Sequence, residues 1–186
     1  NLIPVYQEVF GLSEEKFKAY GLPRIDQFLD SRNELEYRKS FYSRYPELRS
    51  KKIILFAPTY RGHGQETAYY PYNELDYRQL YEMCSEDHIF AFKMHPFIKE
   101  GPEIPDALSD RLIDLSNENI NDLMHISDIL ITDYSSVIYE FALLDRPMLF
   151  YAFDKEKYSI IRGFHWDFDR YAPGRICSSF DDLINA

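Results

Sequence analysis

Residues 128–144 read DILITDYSSVIYEFALL, and this stretch decides the fold. Asp128 to Thr132 is a short apolar run without polar alternation, the pattern of a strand covered on both faces of its sheet. Ser135 to Leu144 then sets Val137, Ile138, Phe141 and Leu144 at helical spacing. A buried strand feeding directly into a helix is the repeating step of a parallel sheet with helical crossovers. The turn between them, Thr132-Asp133-Tyr134-Ser135-Ser136, carries chemistry. Asp133 or Ser135 can cap the helix, while free amides and two serine hydroxyls form a ready anion site. Glu140, four residues beyond Ser136, shares its helix face and suits recognition of hydroxyls. Simple capping is the competing reading. No second carboxylate stands at useful spacing, so Asp133 reads as a cap rather than a metal ligand, and no metal is expected.

The same alternation extends in both directions. Ile53 to Ala57, ended by Pro58, reads as a strand, followed by a helix over Glu74 to Cys84 and strands over His88 to Met94 and Arg111 to Leu115. A helix over Ile120 to His125 precedes residue 128, and a strand over Met148 to Tyr151 follows residue 144. Phe180 to Ile184 is again helical. The expected class is α/β, a doubly wound parallel sheet, whose ligands bind beyond the carboxyl ends of the strands. Residues 1–50 are charged and Tyr-rich, with helical spacing over Ser13 to Tyr20 and Asp30 to Tyr42. They are expected to form a linker with helices leading into a nucleotide-binding domain at 51–186.

The other strand ends supply further candidates. Pro58-Thr59-Tyr60-Arg61-Gly62-His63-Gly64 combines glycines that admit close backbone approach with an arginine able to hold phosphate in a bidentate manner. A surface turn with a solvated Arg61 is the alternative. Lys93-Met94-His95-Pro96 ends the second strand, and His95 can titrate near neutrality as an acid or base, or pack as a hydrogen-bonded structural group. The aromatic and charged stretch from Arg162 to Gly174 reads either as a functional loop or as a cover over the sheet edge. His63, His88, His125 and His165 show no metal-ligand spacing and read as structural or surface residues.

Composition narrows the choice. The chain has 186 residues, 45% of them hydrophobic, and a net charge of −10, which excludes a basic nucleic-acid-binding surface and confines anion recognition to a few local cations. Cys84 and Cys177 fit no metal or redox spacing and point to a reducing compartment, with the cytoplasm favoured. No apolar run approaches the roughly 20 residues of a membrane span, and no signal-peptide pattern opens the chain. Beginning on Asn1 and stopping within a helical pattern, the chain is expected to be a piece of a longer protein.

In order along the chain, Gly21-Leu22-Pro23-Arg24-Ile25-Asp26, Ala57-Pro58-Thr59-Tyr60-Arg61, Phe92-Lys93-Met94-His95-Pro96, the stretch Ile131 to Glu140, Arg146-Pro147-Met148-Leu149-Phe150-Tyr151 and the Arg162 to Gly174 segment resemble the CDP-glycerol glycerophosphotransferase family, the teichoic-acid polymerases and primases of bacterial cell walls. The resemblance implies a GT-B architecture of two Rossmann-like domains, of which this chain would be the carboxyl-terminal, donor-binding one. It implies transfer of glycerol phosphate from CDP-glycerol to a hydroxyl of a lipid-linked polyol phosphate acceptor, with release of CMP and without a cofactor. Arg24, Pro58, Thr59, Arg61, Lys93, Met94, Ser135, Ser136 and Glu140 would line the donor site, and His95 would be catalytic. The amino-terminal domain would be the partner that completes the cleft. The full-length enzyme would lie in the cytoplasm, peripheral on the inner face of the plasma membrane. CDP-ribitol or nucleotide-sugar transfer, and a noncatalytic nucleotide-binding module, are the competing expectations.

Overall fold

A computed structural model describes residues 3–164 and 167–186. Its strands β1 (Lys52–Phe56), β2 (His88–Phe92), β3 (Leu112–Asp114), β4 (Ile129–Thr132), β5 (Met148–Tyr151) and β6 (Arg175–Cys177) form one sheet in the order β3-β2-β1-β4-β5-β6. Every neighbouring pair is parallel. The chain builds outward from β1 through β2 to β3, then returns to the far side of β1 for β4. Strand order therefore reverses between β1 and β4, and the loops leaving these two strands diverge there.

The apolar runs place side chains on both faces. Ile53, Leu55 and Ala57 enter one buried cluster while Ile54 and Phe56 enter the other, so β1 has no polar face to show water. Each of the isoleucine, leucine and phenylalanine side chains buried here contributes about 1.5–3 kcal/mol, which makes this central strand the anchor of the sheet. The helices, in chain order, are α1 (Ile3–Phe10), α2 (Asp26–Leu29), α3 (Ser31–Arg44), α4 (Tyr77–Met83), α5 (Ile120–Ile126), α6 (Val137–Phe141), α7 (Lys155–Ile161), α8 (Phe168–Tyr171) and α9 (Phe180–Ile184). Phe28 of α2, Phe41 of α3, Leu123 of α5 and Phe141 of α6 cover one face. Leu80 of α4 and Leu183 of α9 cover the other. The doubly wound α/β class is as expected.

Local chemistry sets the helix starts. The Asp76 carboxylate accepts the N–H groups of Arg78 and Gln79 at 2.9 and 3.0 Å, which begins α4 three residues later than Glu74. Asn119 caps α5 through the N–H of Asn121 at 2.8 Å. The helix expected over Ser135 to Leu144 runs as α6 and then tightens into a 3₁₀ turn at Ala142–Leu144, ended by Asp145 in the left-handed region at φ 52°.

Two expectations for residues 1–50 need correction. Asp30 to Tyr42 does form a helix, α3, but the segment is not a linker. Phe28, Phe41, Tyr42 and Leu48 are buried in the same cluster as Ile53 and Leu55, so no break in packing falls at residue 50. The helix expected over Ser13 to Tyr20 is reduced to a 3₁₀ turn at Glu14–Lys16. Its residues bury no face, and a short helix without packing is not stable in water. Cys84 and Cys177 are buried free thiols, and burial pushes that of Cys84 up to about 11.

Candidate functional site

The loops after β1 and β4 are joined at the point where strand order reverses. Asp133 Oδ1 accepts the N–H groups of Thr59 at 2.7 Å and Tyr134 at 2.6 Å. Its Oδ2 accepts Arg61 Nη1 at 2.9 Å, and the same Nη1 donates to the Thr59 carbonyl at 2.6 Å. Arg61 Nε and Nη2 form a fork on Asp154 Oδ2 and Oδ1 at 2.7 and 2.9 Å. The guanidinium lies 5.2 Å from the Tyr134 ring and 5.3 Å from that of Tyr158. Burial alone would lower the Arg61 pKa, but the hydrogen bonds to Asp154 and the charges of Asp133 and Asp154 outweigh it and hold the group protonated.

This arrangement corrects two expectations. Arg61 is 8% exposed and answered by two carboxylates, so it is a clasp between the loops after β1, β4 and β5, not a cation left over for phosphate. Asp133 does not cap α6; it ties β4 to β1. Burial pushes its carboxyl up against the pull of Arg61, the cost of placing a charge under the loops.

Beside this clasp the wall is open. Ser135 is half-buried and Ser136 exposed, and both line a cavity of about 240 Å3 together with Tyr134, Ile138 and Phe164. The only side-chain cap among the described residues at this helix start is long, the Val137 N–H meeting Ser135 Oγ at 3.4 Å. One turn into α6, Glu140 is 2% exposed. Its Oε1 accepts Arg24 Nε at 2.7 Å and lies 2.6 Å from Arg24 Nη2. Its Oε2 is buried and has no partner among the described residues. A carboxylate oxygen buried without a donor is costly, and it is the kind of atom a ligand hydroxyl satisfies.

The loop after β2 forms the next wall. His95 is half-buried against Tyr60 and Phe97, with ring centroids 4.7 Å from each. Its Nδ1 accepts the Phe97 N–H at 3.2 Å, so the neutral ring carries its proton on Nε2. Burial and the nearby Lys93 charge lower its pKa. Lys93 itself is buried: Nζ donates to the carbonyls of Ser116 at 2.9 Å and Met94 at 3.3 Å, and burial lowers its pKa while Asp114 pulls it back up. Lys93 thus acts behind His95 as a fixed positive field rather than as a reaching side chain. Met94 and Pro58 are buried wall residues, and Thr59 Oγ1 is buried without a partner among the described residues.

The structure thus brings together Thr59 with Arg61 and Asp133, Arg24 with Glu140, and Lys93 with His95. It does not put His95 in contact with Ser135 or Ser136; the β1 loop stands between them in strand order. Sequence reading missed Asp154, Tyr60 and Tyr158. The rule used for the other strands would have found Asp154, since it follows β5 as Asp133 follows β4. The Arg162 to Gly174 stretch is both cover and wall: Phe164 stacks on Tyr158 and Phe168, and it lines the cavity beside Ser135. Within that stretch, His165 and Trp166 lie outside the described residues. Among the described residues no group of three or more His, Cys, Asp or Glu is placed to hold a metal ion.

The family described as CDP-Glycerol:Poly(glycerophosphate) glycerophosphotransferase matches residues 1–186. The chain is 41% identical over 186 residues to a teichoic acid poly(ribitol-phosphate) polymerase of Bacillus spizizenii, covering 100% of this chain and 30% of that protein. It is 37% identical over 185 residues to a teichoic acid glycerol-phosphate primase of the same organism, covering 100% of this chain and 46% of that one. The chain therefore spans under half the length of these relatives. Among solved structures, a variant of the wall teichoic acid polymerase TagF with CDPG superimposes with a TM-score of 0.78 at 30% identity, covering 98% of this chain and 45% of that one.

Proposed function

Because the chain belongs to the CDP-glycerol:poly(glycerophosphate) glycerophosphotransferase family, we propose that it is the donor-binding half of a GT-B transferase of teichoic-acid synthesis. That enzyme moves glycerol phosphate from CDP-glycerol to a hydroxyl of a lipid-linked polyol phosphate acceptor. The attacking oxygen forms a bond to the glycerol-bearing phosphorus, the bond from that phosphorus to the bridging oxygen breaks, and CMP leaves. A base in the amino-terminal domain takes the hydroxyl proton. The observation that carries this reading is the buried, unpartnered Glu140 Oε2 beside the open Ser135-Ser136 turn: one acceptor for a sugar hydroxyl next to donors for phosphate.

The chemistry follows from the arrangement. Phosphoryl transfer depends mainly on positioning and on neutralising charge. Ser135 and Ser136 offer hydroxyls and amides to the diphosphate, Arg24 adds a half-exposed cation held in place by Glu140, and Glu140 accepts from a ribose hydroxyl. His95 presents Nε2–H toward the leaving phosphate. The negative charge of an arriving diphosphate offsets that of Lys93, one of the two causes of its lowered pKa, and favours the protonated ring as the donor binds. Lys93 supports the same negative charge from behind. The reading assigns no metal. It places the full-length enzyme in the cytoplasm, peripheral on the membrane that carries the acceptor; no helix of the described residues is long and apolar enough to cross a membrane.

CDP-ribitol is the second donor worth testing, since the ribitol-phosphate polymerase is the more similar of the two relatives above. The test is CMP release by the full-length polypeptide supplied with CDP-glycerol or CDP-ribitol and a lipid-linked acceptor, in the parent and in His95→Ala. Release from CDP-glycerol that falls at least 100-fold in the variant supports the reading. Undiminished turnover by the variant removes His95 from the chemistry, and release from CDP-ribitol alone reassigns the donor.

A further inference from the structure

A second cavity, of about 560 Å3, shares the Tyr60 ring with His95. It lies within the ~300–1,000 Å3 range of small-molecule sites. The Arg61–Asp154 pair belongs to its wall, and the loop from Arg61 to Tyr69 forms its rim. That rim is built, not slack. Arg61 and Tyr69 exchange backbone hydrogen bonds of 2.8 and 3.0 Å, and the His63 N–H donates to Thr67 Oγ1 at 2.8 Å. Gly62 has φ +103°, and a Cβ there would lie 2.0 Å from the Thr67 carbonyl oxygen, so only glycine lets the rim fold back this way.

The charges on this surface are unbalanced in an informative way. Arg61 is answered by Asp133 and Asp154 and offers no free cation. Lys157 and Arg162 also line the cavity, and neither has a carboxylate partner among the described residues. Arg162 is held in place all the same: Nη2 donates to the Gly62 carbonyl at 2.6 Å and its guanidinium lies 5.1 Å from the Tyr60 ring centroid. In a chain of net charge −10, two unanswered cations on one concave surface mark a place for an anion. Around them stand the rings of Tyr69 and Tyr158, suited to the C–H faces of a polyol, and the Glu74 carboxylate, suited to its hydroxyls.

We propose that this cavity is the acceptor subsite, which binds a short phosphodiester-linked polyol chain. Its phosphate sits on Lys157 and Arg162, its carbon backbone on the tyrosine rings and a hydroxyl on Glu74. The shared Tyr60 wall brings the chain end beside His95. The inference rests on the transferase reading and names the surface that delivers the attacking hydroxyl. The glycerol phosphate of the donor has the same chemistry, so the experiment separates the two sources.

The test titrates this chain by calorimetry with a synthetic glycerol phosphate trimer, with CMP and with CDP-glycerol, in the parent and in the double variant Lys157→Ala/Arg162→Ala. Both residues are exposed, and a thermal melt checks that the fold is kept; Tyr69→Ser, at a half-exposed ring, is an independent second variant. The expected result is trimer binding to the parent in the presence of saturating CMP, weakened at least 10-fold in the double variant and at least 3-fold in Tyr69→Ser, with CMP and CDP-glycerol affinities within twofold. Absent trimer binding, undiminished binding by the variants, or displacement of the trimer by CMP overturns the proposal. So does a parallel loss of CDP-glycerol affinity, which would give the cavity to the donor. The parent's nucleotide titrations report separately on the transferase reading: if they fail while the trimer binds, that reading falls and the polyol-phosphate site stands.

Discussion

Two arginines near the same crevice have opposite fates. Arg61 sits under the loops with its donors matched by Asp154, Asp133 and the Thr59 carbonyl. Arg24 has a side chain 51% exposed and meets one oxygen of Glu140, while the other oxygen of that carboxylate is left without a donor. The first region is closed and holds the loops in register; the second pairs an exposed cation with a carboxylate that keeps one buried oxygen unanswered among the described residues. Position after a strand selects candidate residues, but the tally of partners separates clasp from binding wall.

The largest effect should come from opening the clasp. Asp133→Ala leaves the Arg61 charge half-answered and two backbone N–H groups without their acceptor, and breaking a buried pair in this way costs about 3–5 kcal/mol. Urea unfolding followed by circular dichroism measures it; a midpoint equal to that of the parent would erase the distinction between the two regions. Next comes the rim that continues from the clasp, the loop from Arg61 to Tyr69. Gly62→Ala places a Cβ into the Thr67 carbonyl at a backbone angle that other residues avoid, with an expected loss of about 1–3 kcal/mol by the same measurement.

On the open wall the signs reverse. Ser136→Ala should change stability by less than about 0.5 kcal/mol, since the residue is exposed, its hydroxyl makes no bond among the described residues, and its carbonyl keeps the Tyr139 N–H in either variant. CMP affinity should nevertheless fall about 10-fold, equivalent to about 1.4 kcal/mol. A variant that loses stability but keeps its affinity would make this serine structural.

How much of this is legible in the residues depends on what sets each feature. β1, β4 and β5 follow from apolar runs alone, because burial on both faces leaves a contiguous signature. β6, three residues long, has no such run, and its place is set by pairing with β5. The packing of α2 and α3 was missed because Phe28, Phe41 and Tyr42 are scattered among charges, and only the fold shows them meeting α5. Ser135, Ser136 and His95 were found from their place after strands. The demotion of Arg61 was beyond sequence reading, since it depends on Asp154, 93 residues away.

The smallest effect expected is a pH dependence of stability. His125 is buried, stacked between Phe28 and Tyr37 at 4.7 and 4.8 Å, and neither ring nitrogen has a partner among the described residues. Burial lowers its pKa, Glu34 pulls it back up, and Arg146 and Arg38 lower it further; His95 is lowered by burial and Lys93. With folded pKa values below those of the unfolded chain, the unfolded state binds more protons, so stability falls as pH drops through about 6.5. Thermal melts from pH 8 to 5.5 should show this fall, and His125→Phe, which keeps the stack, should flatten it. A parent whose melting temperature is level across that range would contradict the assignment.

The central claim is that the open wall at the reversal of strand order, and not the clasp beside it, receives the donor nucleotide. Amide chemical-shift mapping of the 15N-labelled chain titrated with CDP-glycerol tests it most directly. Saturable shifts centred on Tyr134 to Val137 and on His95 to Phe97, with little change at Asp154, are the predicted result. Shifts confined to other surfaces, or none at millimolar donor, would contradict it.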